Sequence, residues 1–266
     1  MRRVCLQEEW PESWKSSYAY DLEEVYGEPS HLGYAYAYSN RREHTLDLIA
    51  EVLPPRARIL DIGAAQGNFS LALAEMGYRV TWNDLRSELA DYVRLKHERG
   101  AVGFSAGNAF DLRFGEAFDG VLITEVIEHV AHPDRFLANT ARLVRSGGYI
   151  VMTTPNGAYF RNRLPRFSDC SDPSIHEAGQ FKPDADGHIF LLHPDEIEGL
   201  ASRTGLTLEK LLLFTNPLTN GHLKTEWMLG VLPRSVVRAF DRGTHYLPRA
   251  LKERLLIQMG ARFRKA

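Results

Sequence analysis

One short segment constrains this chain more than any other. Ile59-Leu60-Asp61-Ile62-Gly63-Ala64-Ala65-Gln66-Gly67-Asn68-Phe69 joins an apolar, strand-like run to a helix start through a turn of small residues. Such a turn lets a ligand approach backbone N–H groups at a helix N-terminus. Around it, strand and helix patterns alternate. Residues 58–62, 78–82, 102–105, 118–124, 149–153 and 207–214 read as strands, and 40–53, 69–76, 88–98, 133–144 and 194–204 as helices. This rhythm predicts an α/β fold with a doubly wound, mostly parallel sheet and helices on both faces.

The turn itself excludes one ligand class. Dinucleotide enzymes place G-x-G-x-x-G here, with glycines that admit a pyrophosphate. This chain has Gly63, Ala65 and Asn68 at those positions, so the pattern fails twice. An acid, Asp61, stands at the strand end instead. A carboxylate beside the turn suits a ligand with a cationic group and repels phosphate, which disfavours a nicotinamide oxidoreductase.

The segment resembles the first motif of class I S-adenosylmethionine (SAM)-dependent methyltransferases, D-x-G-x-G-x-G, with Ala65 as a mild departure that leaves less room near the methionine part of the cofactor. Further matches follow in order. Asp84 and Leu85 end the second strand region, and Gly107-Asn108-Ala109 stands where the family more often has Gly-Asp-Ala. The strand 118–124 then leads into Glu125-Val126-Ile127-Glu128-His129. The resemblance covers residues 40–155 well and 185–215 loosely, and implies a Rossmann-like domain binding SAM. In that family, Asp61 and the turn with Gly63, Ala65 and Gly67 would hold the amino-acid end of the cofactor. Asp84 with Leu85 would hold the ribose, Asn108 and Ala109 the adenine edge, and Glu125 would also face the cofactor.

Methyl transfer from a sulfonium needs an in-line nucleophile near the methyl carbon, and an attacking hydroxyl must lose its proton. Glu125 and Glu128 are three residues apart and share a face on a helical turn. His129 follows them, and a long aperiodic stretch, 154–188, returns with Asp184, Asp186 and His188. Two carboxylates and two imidazoles can build a divalent metal site. The pattern resembles ubiquinone-biosynthesis O-methyltransferases and small-RNA 3′-end 2′-O-methyltransferases, in which an E-x-x-E-H loop and a later histidine accompany a metal. Carried over, Glu125, Glu128, His129 and His188 would be ligands. Direct proton abstraction by His129 or His188, or a purely structural role for the loop, remain alternatives. His132 and His193 fall at helix starts.

Charge and composition shape the partner expectations. The 266 residues are 44% hydrophobic and 25% charged, which suits a large buried core. Two cysteines, Cys5 and Cys170, exclude a disulfide framework. No apolar run reaches the ~18 residues needed to span a bilayer, and no apolar stretch follows Arg2-Arg3, so a cytoplasmic location is expected, with room for peripheral membrane contact. Net charge is −2, but residues 233–266 hold nine Lys/Arg against two Asp/Glu. That basic tail can meet anionic lipid or nucleic acid, or can be a solvated helical face. The acidic remainder suits nucleic acid poorly.

The reading is therefore an O-methyltransferase for a hydroxylated small-molecule, lipid-linked or sugar acceptor. The alternatives are an RNA 2′-O-methyltransferase and a non-catalytic SAM-fold binding module. Three regions are expected: an aromatic-rich segment 1–40 that can act as a lid, a SAM-binding domain 41–215, and a basic helical extension 216–266 without a convincing seventh strand. Oligomeric state is left open.

Overall fold

The computed structural model describes residues 1–180, 187–244 and 246–266; Asp184 and Asp186 lie outside the described residues. The strands are β1 (Arg58–Ile62), β2 (Arg79–Asn83), β3 (Ala101–Phe104), β4 (Phe118–Thr124), β5 (Val144–Pro155), β6 (Leu206–Phe214) and β7 (Gln258–Lys265). Among the described residues they form one seven-stranded sheet in the order β3-β2-β1-β4-β5-β7-β6. β1 to β5 run parallel, and β7 lies antiparallel between β5 and β6.

The helices are α1 (Glu12–Glu24), α2 (Leu32–Ala50), α3 (Asn68–Glu75), α4 (Leu89–Lys96), α5 (Pro133–Leu143), α6 (Pro194–Arg203), α7 (Glu226–Val231), α8 (Arg234–Thr244) and α9 (Arg249–Leu255). Side chains alternate across each strand, so the sheet builds two cores. Leu60, Val121, Ile123, Ile150 and Met152 pack with Phe136 and Leu137 of α5 and Ile197 and Leu200 of α6. Ile59, Val80, Leu122 and Val151 pack on the other face with Leu48 and Ile49 of α2 and Phe69 and Leu73 of α3. Burying each such side chain contributes about 1.5–3 kcal/mol. His132 and His193 are the N-cap residues of α5 and α6.

The two ends of the chain depart from the expected division. Residues 216–266 are not a helical extension alone: α9 stops at Leu255, and Met259 belongs to β7 rather than to a helix with Leu251. Residues 258–263 are buried without interruption, as expected of a strand paired on both sides inside a sheet. A boundary at 215 thus cuts off a strand that bridges two others. Part of the tail's charge is also spent inside the fold, because Arg262 is buried and pairs with Glu51 at 2.6 Å and Glu209 at 3.4 Å.

At the other end, the boundary at 40 falls within α2. α1 is packed rather than loose. Its Asp21 accepts hydrogen bonds from Lys96 at 2.6 Å, Tyr92 at 2.7 Å and Asn68 at 2.8 Å, all buried. The Trp14 indole also donates to the Glu88 carbonyl. Among the described residues, no helix is long and apolar enough to cross a membrane.

Candidate functional site

After β1 the chain turns to β2 on one side, and after β4 to β5 on the other. Their carboxyl ends therefore part and leave a crevice where ligands of open α/β sheets bind. A cleft of about 870 Å³ occupies it. Gly63, Ala65, Asp84, Leu85, Asn108, Ala109, Glu125 and His129 all line this cleft.

The turn owes its shape to side chains beneath it. Gly63 has φ +68°, and a Cβ there would meet Val126 at 2.7 Å. Gly67, the N-cap of α3, has φ +75°, and a Cβ would meet Val93 at 2.7 Å. Ala65 also sits in the left-handed region at φ +46°, which costs a residue with a Cβ. Two bonds hold it there: its N–H donates to Asp84 Oδ2 at 2.8 Å, and its carbonyl accepts from Trp82 Nε1 at 3.0 Å.

Asp61 and Gly67 do not line the cleft. Asp61 is 1% exposed beneath the turn, where its Oδ2 accepts from Ser70 Oγ at 2.6 Å and its Oδ1 has no partner. Burial raises its pKa to about 7, against the Ser70 hydrogen bond and with a further push from Asp84. Asp84 takes bonds from the Arg86 N–H at 2.9 Å and Nε at 3.0 Å. Asn108 accepts from the Phe110 N–H at 3.1 Å and donates to Asp111 at 2.9 Å, so its side chain folds onto its own loop.

Three further cleft residues come from the N-terminal helices: Glu24 of α1, and Tyr38 and Arg41 of α2. Glu24 accepts from Tyr34 at 2.6 Å, Asn68 at 2.8 Å and Gln66 at 2.9 Å. Burial nevertheless raises its pKa. Arg41 pairs with Glu125 at 3.0 Å. Burial works against its charge, but Glu125, Tyr34 and Glu24 outweigh that and raise its pKa.

The loop after β4 divides the E-x-x-E-H residues. Glu125 adopts φ +53° and turns to Arg41. Glu128 is fully buried; its Oε2 accepts from Thr154 at 3.1 Å, and Oε1 has no partner. Burial, reinforced by Glu125, raises its pKa well above the carboxylate range. Its carbonyl accepts from the Ile189 N–H at 2.7 Å, which draws His188 to the loop. His188 meets His129 edge to face at 4.9 Å, and burial, then His129, lowers its pKa. One ligand atom each from Glu128, His129 and His188 lie within 4.8 Å of one another. Glu125 stands outside that cluster.

Residues 34–211 match the family described as a methyltransferase domain. The chain belongs to this family. A ubiquinone biosynthesis O-methyltransferase of Rhizobium leguminosarum bv. trifolii is 33% identical over 168 residues, covering 61% of this chain and 64% of the relative. The chain thus spans less than two thirds of that relative's length. Among solved structures, a putative sarcosine dimethylglycine methyltransferase from Galdieria sulphuraria has a TM-score of 0.58 at 15% identity, over 96% of this chain and 99% of that one. The N-methyltransferase NodS from Bradyrhizobium japonicum, in complex with S-adenosyl-L-homocysteine, has a TM-score of 0.53 at 14% identity, with the same coverage. These likenesses are to the fold, that of class I SAM-dependent methyltransferases.

In this chain the cleft residues that sequence reading missed include Glu24, Tyr38 and Arg41. The aromatic-rich character of residues 1–40 marked the region but not these side chains. The folded chain reveals them by bringing all three to the wall of the cleft, with Arg41 paired to Glu125.

Proposed function

We propose that this methyltransferase moves the methyl group of SAM to a hydroxyl oxygen of a small acceptor. A hydroxylated ring such as a quinol or phenol is the leading class, and lipid-linked and sugar hydroxyls share its chemistry. The name carried by the ubiquinone biosynthesis relatives supports the ring class. The observation that carries the reading is the cluster of Glu128, His129 and His188 beside the cleft.

In this reading the Gly63–Gly67 turn, Glu24 and Arg41 receive the amino-acid end of the cofactor. Glu24 faces the ammonium group and Arg41 the carboxylate. Asp84 with Leu85 takes the ribose, and Asn108 and Ala109 the adenine edge. Asp61 acts from below, its ionised form placing negative potential under the turn above a pH of about 7. The acceptor oxygen attacks the methyl carbon as the carbon–sulfur bond breaks. The sulfonium becomes a neutral thioether, and, with no cation held by the histidines, the hydroxyl proton passes to His129 or His188. Attack by an oxygen anion removes two opposite charges, so a site shielded from water favours it.

The cluster fits a divalent cation: Glu128 Oε1 and His129 Nδ1 are buried and lack partners. Glu128, His129 and His188 would hold it, and it would lower the hydroxyl pKa and orient the acceptor. Glu125, engaged by Arg41, is not assigned to it. The test is product mass spectrometry with SAM and catechol-type acceptors, beside elemental analysis of the protein. An O-methylated product and about one metal per chain, lost in Glu128→Gln, are expected. Turnover unchanged by both chelation and His188→Ala would remove the metal from the mechanism; exclusive N-methylation would overturn the acceptor class.

A further inference from the structure

Residues 215–257 form an excursion between the end of β6 and the start of β7. Phe214 and Pro155 are both in register with Gln258, so the excursion stands at the carboxyl edge of β5, the edge that holds the cleft. Its helices turn one side inward. α7 buries Leu229, and α8 buries Val237 and Asp241. The Asp241 carboxylate accepts from Asn40 at 2.9 Å, Asn216 at 2.8 Å and Thr219 at 2.7 Å.

The opposite side has a different chemistry. Trp227 and Val231, one turn apart on α7, are 73% and 79% exposed, and Tyr246 after α8 is 91% exposed. Val236 and Phe240 on α8 are exposed and, with Ser235 and Ala239, line a shallow groove. Arg234, Arg238 and Arg242 recur every four residues along one flank of α8, and none has an ion pair among the described residues. The acid within α8, Asp241, is the residue turned inward.

We infer that the outward side of α7 and α8 docks on an anionic lipid bilayer. Trp and Tyr settle at the boundary between headgroups and acyl chains, apolar residues enter the shallow hydrocarbon, and arginines meet lipid phosphates. A second copy of this chain fits less well. A two-fold contact sets the same patch against itself, which would bring one arginine row up to the other. Docked this way, the sheet edge that bears the cleft lies on the side of the bilayer. A lipophilic acceptor could then reach His129 and His188 from the membrane; that last link rests on the O-methylation reading above, whereas the docking does not.

The test is co-sedimentation of the full chain with vesicles of phosphatidylcholine containing about one third phosphatidylglycerol, against phosphatidylcholine alone. Binding is expected to the anionic vesicles and to fall with salt. Each arginine near such a surface is worth about fivefold, so Arg238→Glu with Arg242→Glu should weaken partitioning about tenfold or more. Trp227→Ala with Phe240→Ser should weaken it several-fold. Calorimetric SAM affinity, expected to be unchanged in both, confirms that the variants are folded. Equal binding to neutral vesicles, or binding unmoved by either pair, overturns the inference. So does a dimer that the Trp227 and Phe240 changes dissolve, which would make a second copy the occupant. Vesicle binding without any O-methylated product would sink the acceptor reading and leave the docking intact.

Discussion

Asp84 meets two demands with one carboxylate. It fixes Ala65 in a left-handed conformation through the 2.8 Å bond from the Ala65 N–H, and it faces the cleft where a ribose would lie. A charge-assisted hydrogen bond is worth about 1.5–3 kcal/mol, so Asp84→Ala should weaken SAM binding about 10- to 100-fold by calorimetry. Wild-type affinity in that variant would remove Asp84 from the cofactor site. Asp61 makes a prediction of different form. Its folded pKa, about 7, lies above the unfolded value near 3.9. The folded state therefore binds the extra proton between those values, and stability falls as pH rises through that window. The deficit is complete above about 7. Asp61→Asn keeps the size and an acceptor for Ser70 but cannot ionise. Its melting temperature should gain on wild type by a few degrees between roughly pH 5 and pH 8. A constant difference across that range would show that Asp61 does not carry this proton.

At the scale of elements, α1 is the one whose position matters most to the cleft. Asp21 and Lys96 form a buried pair at 2.6 Å, and three residues on, Glu24 reaches the cleft. Lys96→Met leaves a buried carboxylate without its cation and should cost about 3–5 kcal/mol. It should also weaken SAM binding, because α1 carries Glu24. Lower stability with unchanged affinity would mean that Glu24 is placed without this anchor. The same helix shows what the sequence could and could not reveal. β1 and β4 were legible because the short apolar runs Ile59-Leu60 and Val121-Leu122-Ile123 stand out and the turn at Gly63 is distinctive. The buried side of α1 is Ser17 and Asp21, so no apolar period marks it. β7 was hidden for another reason: Leu251, Leu255 and Met259 recur at helical spacing across the break at Leu256, and Arg262 is buried inside the strand although its type reads as a solvent-facing residue. In the site, the E-x-x-E-H spacing brought Glu128 and His129 into view together with Glu125. The divergence of Glu125 follows from its backbone conformation and from Arg41, a residue 84 positions away in the chain.

Across the whole molecule, the last strand decides whether residues 41–215 can stand alone. β7 takes its hydrogen bonds from β5 on one side and β6 on the other. Removing it exposes the edge of β5 and leaves β6 with no neighbour in the sheet. It also removes Phe263, fully buried in the core shared with α5 and α6. Truncating that side chain alone, as Phe263→Ala, should cost about 3–5 kcal/mol. Domains of this kind are stable by only about 5–15 kcal/mol, so loss of the whole strand should abolish cooperative folding. A chain ending at Ile257 is therefore expected to lose its single thermal transition and its SAM binding together, whereas Phe263→Ala should keep both with a lowered melting temperature. A truncated chain that melts cooperatively and binds SAM would instead show that β1 to β5 suffice, and that β7 serves mainly to carry α7 and α8 back to the sheet.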